Sequence, residues 1–215
     1  MDVYGSILSP YVARVILAAR HKGIKHKLKM PDGGMKTPAY LAMNPLGKMP
    51  VIKDSGMTLY ESSVIIDYLD AKYKKKRVIP SAAKDAAKAR LIATIFAEYV
   101  QAPTMALLRQ RDPATRDQKV IEEKIAEANR GLDVIEKLLS GKGWATGTKL
   151  TVADLYAVPC WFFVSAFLPQ FGVADPTGGR KKLGKYVAKL NKEKLTATVM
   201  AEMGEALKNF RPGGR

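Results

Sequence analysis

Near the start of this 215-residue chain a hydroxyl stands where a redox thiol is commonly found. The stretch from Ile7 reads ILSPYVARV, and its centre, Ser9-Pro10-Tyr11-Val12, has the shape of a Cys-Pro-Tyr-Cys turn with both cysteines replaced. Disulfide chemistry on such a turn needs an attacking enzyme thiolate, so that route is closed. Pro10 favours the first position of a helix, which puts Ser9 at a helix N-terminus. A serine there has two uses. It can cap the helix with its own oxygen, or it can donate its hydroxyl to an anion that the unpaired N–H groups and the positive end of the helix dipole attract. Tyr4 and Tyr11 are the rival hydroxyl donors in the same stretch.

Two further short motifs carry groups that could hold a ligand. Met49-Pro50 in NPLGKMPVI places a proline where a turn meets a strand, and Glu61-Ser62 in LYESSVIIDYL opens a helical pattern with a carboxylate and a hydroxyl. The single cysteine, Cys160, rules out an internal disulfide and a cysteine-rich metal centre. It lies in the apolar run AVPCWFF, where it is expected to act as a small hydrophobe, and no metal site is expected.

These residues need elements to position them. DVYGS reads as a short strand, Pro10 to Lys22 as a helix with apolar Val12, Val15, Ile16 and Ala19, and KHKLKM as a second strand. PDGGMKTP reads as a loop, and MPVIKD and MTLYE as the arms of a hairpin around Ser55-Gly56. SSVIIDYLDAKY is again helical. The order β-α-β then β-β-α gives a mixed sheet with helices on its faces. Helical patterns over residues 84–109 and 115–140 follow, separated by Gly, Pro and Asp. In LTVADL, Thr151 is placed to cap a helix, Asp154 to answer its N–H, and Leu150 and Leu155 to form a hydrophobic staple. The expected domains are 1–77, a linker at 78–83, and an all-helical domain over 84–215.

Composition narrows the function classes. Apolar content, at 47%, is that of a globular protein with a real core. The opening MDVYGS with Arg14 breaking the first apolar run does not read as a secretory leader, and a cytoplasmic location is expected. Residues 155–174 carry no charge and are long enough to span a bilayer, but Pro159, Pro169, Gln170 and the preceding cap favour a core helix. Net charge is +16, with 14 Lys/Arg against 6 Asp/Glu through Arg77 and 22 against 14 beyond it. The runs KYKKKR and RKKLGKYVAKLNKEK concentrate the excess. No zinc-finger, RNA-recognition or KH signature accompanies them, so a solvated face is expected rather than a nucleic-acid site.

In order and spacing, YGSILSPYVARV, NPLGKMPVI, LYESSVIIDYL and LTVADL resemble the soluble glutathione transferases over most of the chain, most closely the serine-type phi class. The resemblance implies a thioredoxin-like α/β domain with a mixed four-stranded sheet, an all-α domain after it, and a homodimer. It implies glutathione as co-substrate and a small electrophile as second substrate. Ser9 would then donate to the glutathione sulfur, a cis Met49-Pro50 would turn its backbone to the peptide, and Glu61 and Ser62 would take the γ-glutamyl end. Lys36 and Lys48 match positions near the glycyl carboxylate, although Met35 stands where the family commonly has histidine.

The energetic demand on Ser9 is modest. A thiol of pKa about 8.5 is about 3% ionised at pH 7. Lowering that pKa by about two units takes ~2.7 kcal/mol, the order that one charge-assisted hydrogen bond and a helix terminus supply. The second substrate is expected near Ile7, Leu8, Met105 and Arg109, with the C-terminal tail nearby; the apolar residues there, with Arg109 and Arg111, would suit a hydrophobic or anionic electrophile. Conjugation is the first expected function. Glutathione-dependent reduction or isomerisation on the same site is the alternative, and a non-catalytic ligand- or polyanion-binding protein the rival.

Overall fold

The computed structural model describes residues 1–210. The chain divides into two compact units, one of Met1–Val78 joined by the segment that begins at Lys194, the other of Ile79–Glu193.

The first unit contains β1 (Asp2–Tyr4), α1 (Pro10–Lys22), β2 (Lys27–Lys29), α2 (Pro38–Met43), β3 (Val51–Asp54), β4 (Met57–Tyr60), α3 (Ser62–Lys72) and α9 (Lys194–Lys208). The sheet order is β2-β1-β3-β4, with β1 parallel to β2 and antiparallel pairing of β1 to β3 and β3 to β4. The mixed sheet expected from the element order is present. Helix α2 was not foreseen: the run read as loop ends at its first residue, Pro38, and the residues after it were assigned no element. Its signal was Thr37-Pro38, since Thr37 caps the helix by accepting from the Tyr40 N–H and Pro38 starts it. Helix α9 packs on α1, with Arg20 donating to Glu202 at 2.9 Å, so the last helix belongs with the first unit, whereas the sequence reading assigned all of 84–215 to the second.

Helix α1 owes its place to its apolar content: Val12, Ala13 and Val15–Ala19 are fully buried. It packs on α3, and the two are locked at their C-terminal ends. Lys22 Nζ lies 2.8 Å from Asp70 Oδ1 with both side chains at most 1% exposed. Asp70 also accepts from the Val78 N–H at 2.8 Å and from Arg77 Nε at 3.2 Å, while Lys22 donates to the Lys75 and Lys76 carbonyls. Burial alone would raise the Asp70 carboxyl, but these donors outweigh it and hold the group below the usual carboxylate value. A second node fixes the hairpin to α3. Asp54 accepts from Lys72 Nζ at 2.7 Å and from the Tyr68 hydroxyl at 3.0 Å.

The second unit contains α4 (Ala83–Thr94), a π-helical segment Ile95–Gln101, α5 (Ala102–Ala106), a 3-10 turn Leu107–Gln110, α6 (Gln118–Leu138), α7 (Val152–Phe167) and α8 (Lys181–Lys192). Gly131 of α6 permits close approach to the π-helical segment, because a Cβ there would land on the Tyr99 carbonyl. The capping box at Thr151 and Asp154 is present. Asp154 is buried and accepts from the N–H groups of Thr151 and Ala145 and from the Tyr186 hydroxyl. Cys160 is buried with its Sγ 3.5 Å from the Phe96 carbonyl. Two stretches, Ala83–Gln110 and Val152–Phe171, are long and apolar enough to cross a membrane; in the second, 72% of the apolar window is buried, so packing in the core accounts for its hydropathy.

Asp70 is the carboxylate paired with the buried Lys22 ammonium, so removing it leaves an uncompensated charge. Asp70→Ala is expected to destabilise the protein by about 3–5 kcal/mol, and the joint change Lys22→Met with Asp70→Leu to restore most of that loss, as read by urea unfolding. With its folded pKa depressed, Asp70 contributes stability above the unfolded carboxyl value, and that contribution disappears as pH falls through the folded pKa. The acid limb of a stability–pH profile should therefore be shallower in Asp70→Asn.

Candidate active site

Strand register creates the site. Tyr4 pairs with Lys29 on one side and with Val51 on the other, and Val51 pairs with Tyr60, so these four residues form one row across the sheet. Strands β1 and β4 run the same way and β3 runs opposite. The residues just past this row are therefore Gly5, Pro50 and Glu61. From that edge the chain enters α1 and α3, and both helix N-termini open there. Neither first turn contains an acidic residue, and the one acid beside either terminus is Glu61, the N-cap residue of α3; the positive end of α1 is therefore not offset by its own first turn.

Three chain segments meet at this edge, and the first two are joined by a contact. The Ser6 N–H points to Met49 Sδ at 3.3 Å, the Ser6 hydroxyl accepts from the Leu8 N–H at 3.3 Å, and the Ser6 carbonyl accepts from the Ser9 N–H at 3.0 Å. The Met49–Pro50 peptide bond is cis. Before it, the Lys48 carbonyl accepts from Asn44 Nδ2 at 2.7 Å and from the Tyr40 hydroxyl at 2.9 Å. At α3, Glu61 takes φ 66°, a region unfavourable for a residue with a Cβ, and Ser62 begins the helix with little exposure. Holding a non-glycine residue there costs roughly 1–3 kcal/mol, and the turn aims the α3 N-terminus at the edge.

The edge encloses a cleft of about 280 Å³ lined by Tyr11, Asn44, Lys48, Met49, Pro50, Glu61 and Ser62. Six of the residues singled out from the sequence thus meet there: Tyr11, Lys48, Met49, Pro50, Glu61 and Ser62. Chemically the wall offers a cation, a helix N-terminus with a hydroxyl, a carboxylate and the backbone of a cis-proline turn. That set suits a peptide carrying carboxylates at separated points. Among the described residues no group of three or more His, Cys, Asp or Glu is placed to hold a metal.

Other sequence candidates lie off this lining. Ser9 is the residue before α1, but its side chain makes no capping hydrogen bond. The capping role therefore goes unused, and the hydroxyl remains available at the helix end. Lys36 is exposed and its Nζ would lie 2.8 Å from a Cβ on Gly47, which puts the ammonium beside the loop that carries Lys48. Ile7 and Leu8 are half-buried in the loop after β1; Met105 is half-buried in α5 and Arg109 exposed in the following turn, each within its own unit. The tail expected near them lies, beyond Phe210, outside the described residues.

Of the rival donors, Tyr4 faces Lys29 and Lys53, whose ammonium groups lie 5.9 Å from its ring. Tyr11 lines the cleft, with the Arg14 guanidinium 4.5 Å from its ring. Sequence reasoning missed Asn44. Its signal was the Asn-Pro pair at 44–45, since an asparagine before proline commonly satisfies its own turn, and Asn44 does so by accepting from the Leu46 N–H at 3.1 Å.

The family profile for the glutathione S-transferase N-terminal domain matches residues 3–77, and that for the C-terminal domain matches residues 92–194. Glutathione S-transferase 4 of Zea mays is 30% identical over 163 residues, covering 72% of this chain and 73% of its own. Maleylacetoacetate isomerase of Pseudomonas aeruginosa is 31% identical over 186 residues, 81% of this chain and 84% of its own. Among solved structures, maize glutathione S-transferase I in complex with an atrazine–glutathione conjugate superposes with a TM-score of 0.79 at 25% identity, covering 94% of this chain and 97% of that one.

The apposition of the loops depends on Gly5. At φ 148° it lies in a region that favours glycine, and a Cβ there would sit 2.6 Å from Val12 Cγ2 and 3.1 Å from Met49 Cβ. Gly5→Ala is expected to cost about 1–3 kcal/mol through this overpacking. Its cost should shrink by roughly 1 kcal/mol in a Val12→Ala background, where the nearest clash is gone. A double-mutant cycle in urea reads the difference directly.

Proposed function

The chain belongs to the glutathione S-transferase family, and from that premise we propose that its cleft binds glutathione and stabilises the thiolate for attack on a small electrophile. The observation that carries this reading is the common opening of the α1 and α3 N-termini onto one cleft with Lys48 and the cis Met49–Pro50 turn. In it the Met49 main chain pairs with the peptide of glutathione in the manner of an added strand. Ser62 and the α3 N-terminus take the γ-glutamyl carboxylate, with Glu61 near the γ-glutamyl ammonium. Lys48 and Lys36 serve the glycyl carboxylate. Ser9 donates its hydroxyl to the sulfur at the α1 N-terminus, so the thiolate is favoured over the thiol. The enzyme brings no thiol of its own; the co-substrate supplies it.

Attack then forms a carbon–sulfur bond while the leaving group departs with its electron pair, or while a conjugated double bond takes up the charge and is protonated. On this reading the enzyme acts in the cytoplasm, where glutathione is kept reduced. It also acts as a homodimer. Large apolar residues left exposed on the second unit, Leu91 at 48%, Tyr99 at 58% and Val134 at 39%, support an interface there. Sedimentation velocity is expected to read twice the chain mass; a single-chain mass at micromolar concentration would remove the dimer.

A second reading has its own support in the bacterial isomerase relative. Reversible addition of the same thiolate to a cis enone, rotation about the new single bond and elimination would isomerise the alkene with glutathione regenerated. Turnover of maleylacetoacetate without loss of glutathione would favour this reading over conjugation.

The transferase reading is tested by an ultraviolet pH titration of bound glutathione. The bound thiol should ionise about two units below its free value, and Ser9→Ala should move it back and reduce conjugation of a small electrophile about 10- to 1000-fold. Conjugation by Ser9→Ala at the wild-type rate would show that another group is the donor.

A further inference from the structure

We propose that Tyr11 is a second hydroxyl donor to the glutathione sulfur, with Arg14 as the positioning residue that holds its ring; this rests on the transferase reading above. Tyr11 departs from the helix that carries it. Its neighbours Val12, Ala13 and Val15–Ala19 are completely buried, yet Tyr11 is 47% exposed and lines the cleft with Met49, Pro50 and Ser62. About half of Tyr11 is thus left out of the packing that α1 builds, and it stands one turn or less from the helix N-terminus where an anion is favoured.

Arg14 supplies the second observation. It is only 4% exposed, and its guanidinium lies 4.5 Å from the Tyr11 ring centroid. A buried cation stacked on one face of a phenol fixes the plane of the ring and leaves the hydroxyl edge for the cleft. The charged residues lining the cleft are Lys48 and Glu61, and the Arg14 guanidinium lies over the Tyr11 ring. Arg14 and the α1 dipole thus add positive potential at the same end of the site, opposite in sign to a thiolate.

Ser9 precedes the helix and is not on the lining of the cleft, whereas Tyr11 is. With Tyr11 donating from the cleft wall and Ser9 from the helix end, a sulfur at the α1 N-terminus receives two hydroxyl hydrogen bonds. Their contributions to ionisation would then be partly redundant, and neither single deletion would return the thiol to its free value.

The test is the ultraviolet titration of bound glutathione in wild type, Tyr11→Phe, Ser9→Ala and the double variant. Tyr11→Phe keeps the ring and its Arg14 contact and removes only the oxygen, so the fold and the glutathione Kd should be kept. The bound-thiol pKa should rise by about one unit in Tyr11→Phe, conjugation kcat/KM should fall roughly tenfold at neutral pH, and the double variant should exceed either single one. An unmoved thiol pKa in Tyr11→Phe, with Ser9→Ala alone abolishing the wild-type shift, would overturn the role of Tyr11 and leave the transferase reading standing. An unshifted thiol on the wild-type protein would overturn both.

Discussion

The buried pair of Lys22 and Asp70 is the constraint from which the rest of the first unit follows. Each residue lies in the last turn of its helix, α1 or α3. Lys22 suits that position, because a cation complements the negative end of a helix dipole. Asp70 does not, since its carboxylate faces like partial charge, and it is stable there only because an ammonium, a guanidinium and a backbone N–H converge on it. Such a carboxylate tolerates few arrangements of its surroundings. The pair therefore sets how α1 and α3 lie against each other, and it does so at the end of the helices remote from the cleft.

At the cleft end the same two helices present their N-termini, and sheet register sets their spacing. Tyr4, Val51 and Tyr60 stand in one row, so the departures of the chain at Gly5 and Glu61 and its arrival at Pro50 are neighbours by construction. The site is thus a property of strand pairing more than of any loop. Gly5 and Met49 bring the loops into contact, and the strained Glu61 backbone turns the chain into α3 without a spacer. A site built this way can polarise a thiol that it does not own. Helix termini and hydroxyls act on an anion wherever it comes from, which is why the loss of both cysteines from the turn at Ser9 leaves useful chemistry behind.

Much of this was legible in the sequence because its signals are local. The strand and helix order, the hairpin at Ser55-Gly56 and the box at Thr151-Asp154 each depend on residues within a few positions of one another. Lys48, Met49, Pro50, Glu61 and Ser62 could be named together because they fall in short motifs. The features that escaped depend on side-chain direction or on distant partners. Tyr11 and Arg14 are three residues apart, but spacing alone does not say that the guanidinium lies over the ring, nor that Asn44 turns to brace the Lys48 carbonyl together with Tyr40. Helix α9 escaped for a related reason. Its apolar pattern announces a helix but not a partner, and that partner is α1, far away in the chain. The Lys22–Asp70 pair was invisible for the same reason, as two charged residues among many.

The high positive charge also follows from where the acids are used. Asp70, Asp54 and Asp154 are buried and bonded within the fold, Glu136 accepts from the first N–H groups of α8, and Glu202 and Asp133 hold arginines. Many of the 20 acidic side chains thus serve structure, while most lysines remain at the surface, and the +16 excess is what solvent sees. Such a field draws in an anionic tripeptide and raises its encounter rate, although salt confines the effect to about 8 Å at physiological ionic strength. It cannot by itself favour turnover. The conjugate keeps both carboxylates of glutathione, and surface charge would attract the product nearly as well as the reactant. What differs between them is the charge on sulfur, present before attack and gone afterwards. Only the donors at the α1 N-terminus sense that difference, so discrimination between reactant and product rests on them and not on the basic surface.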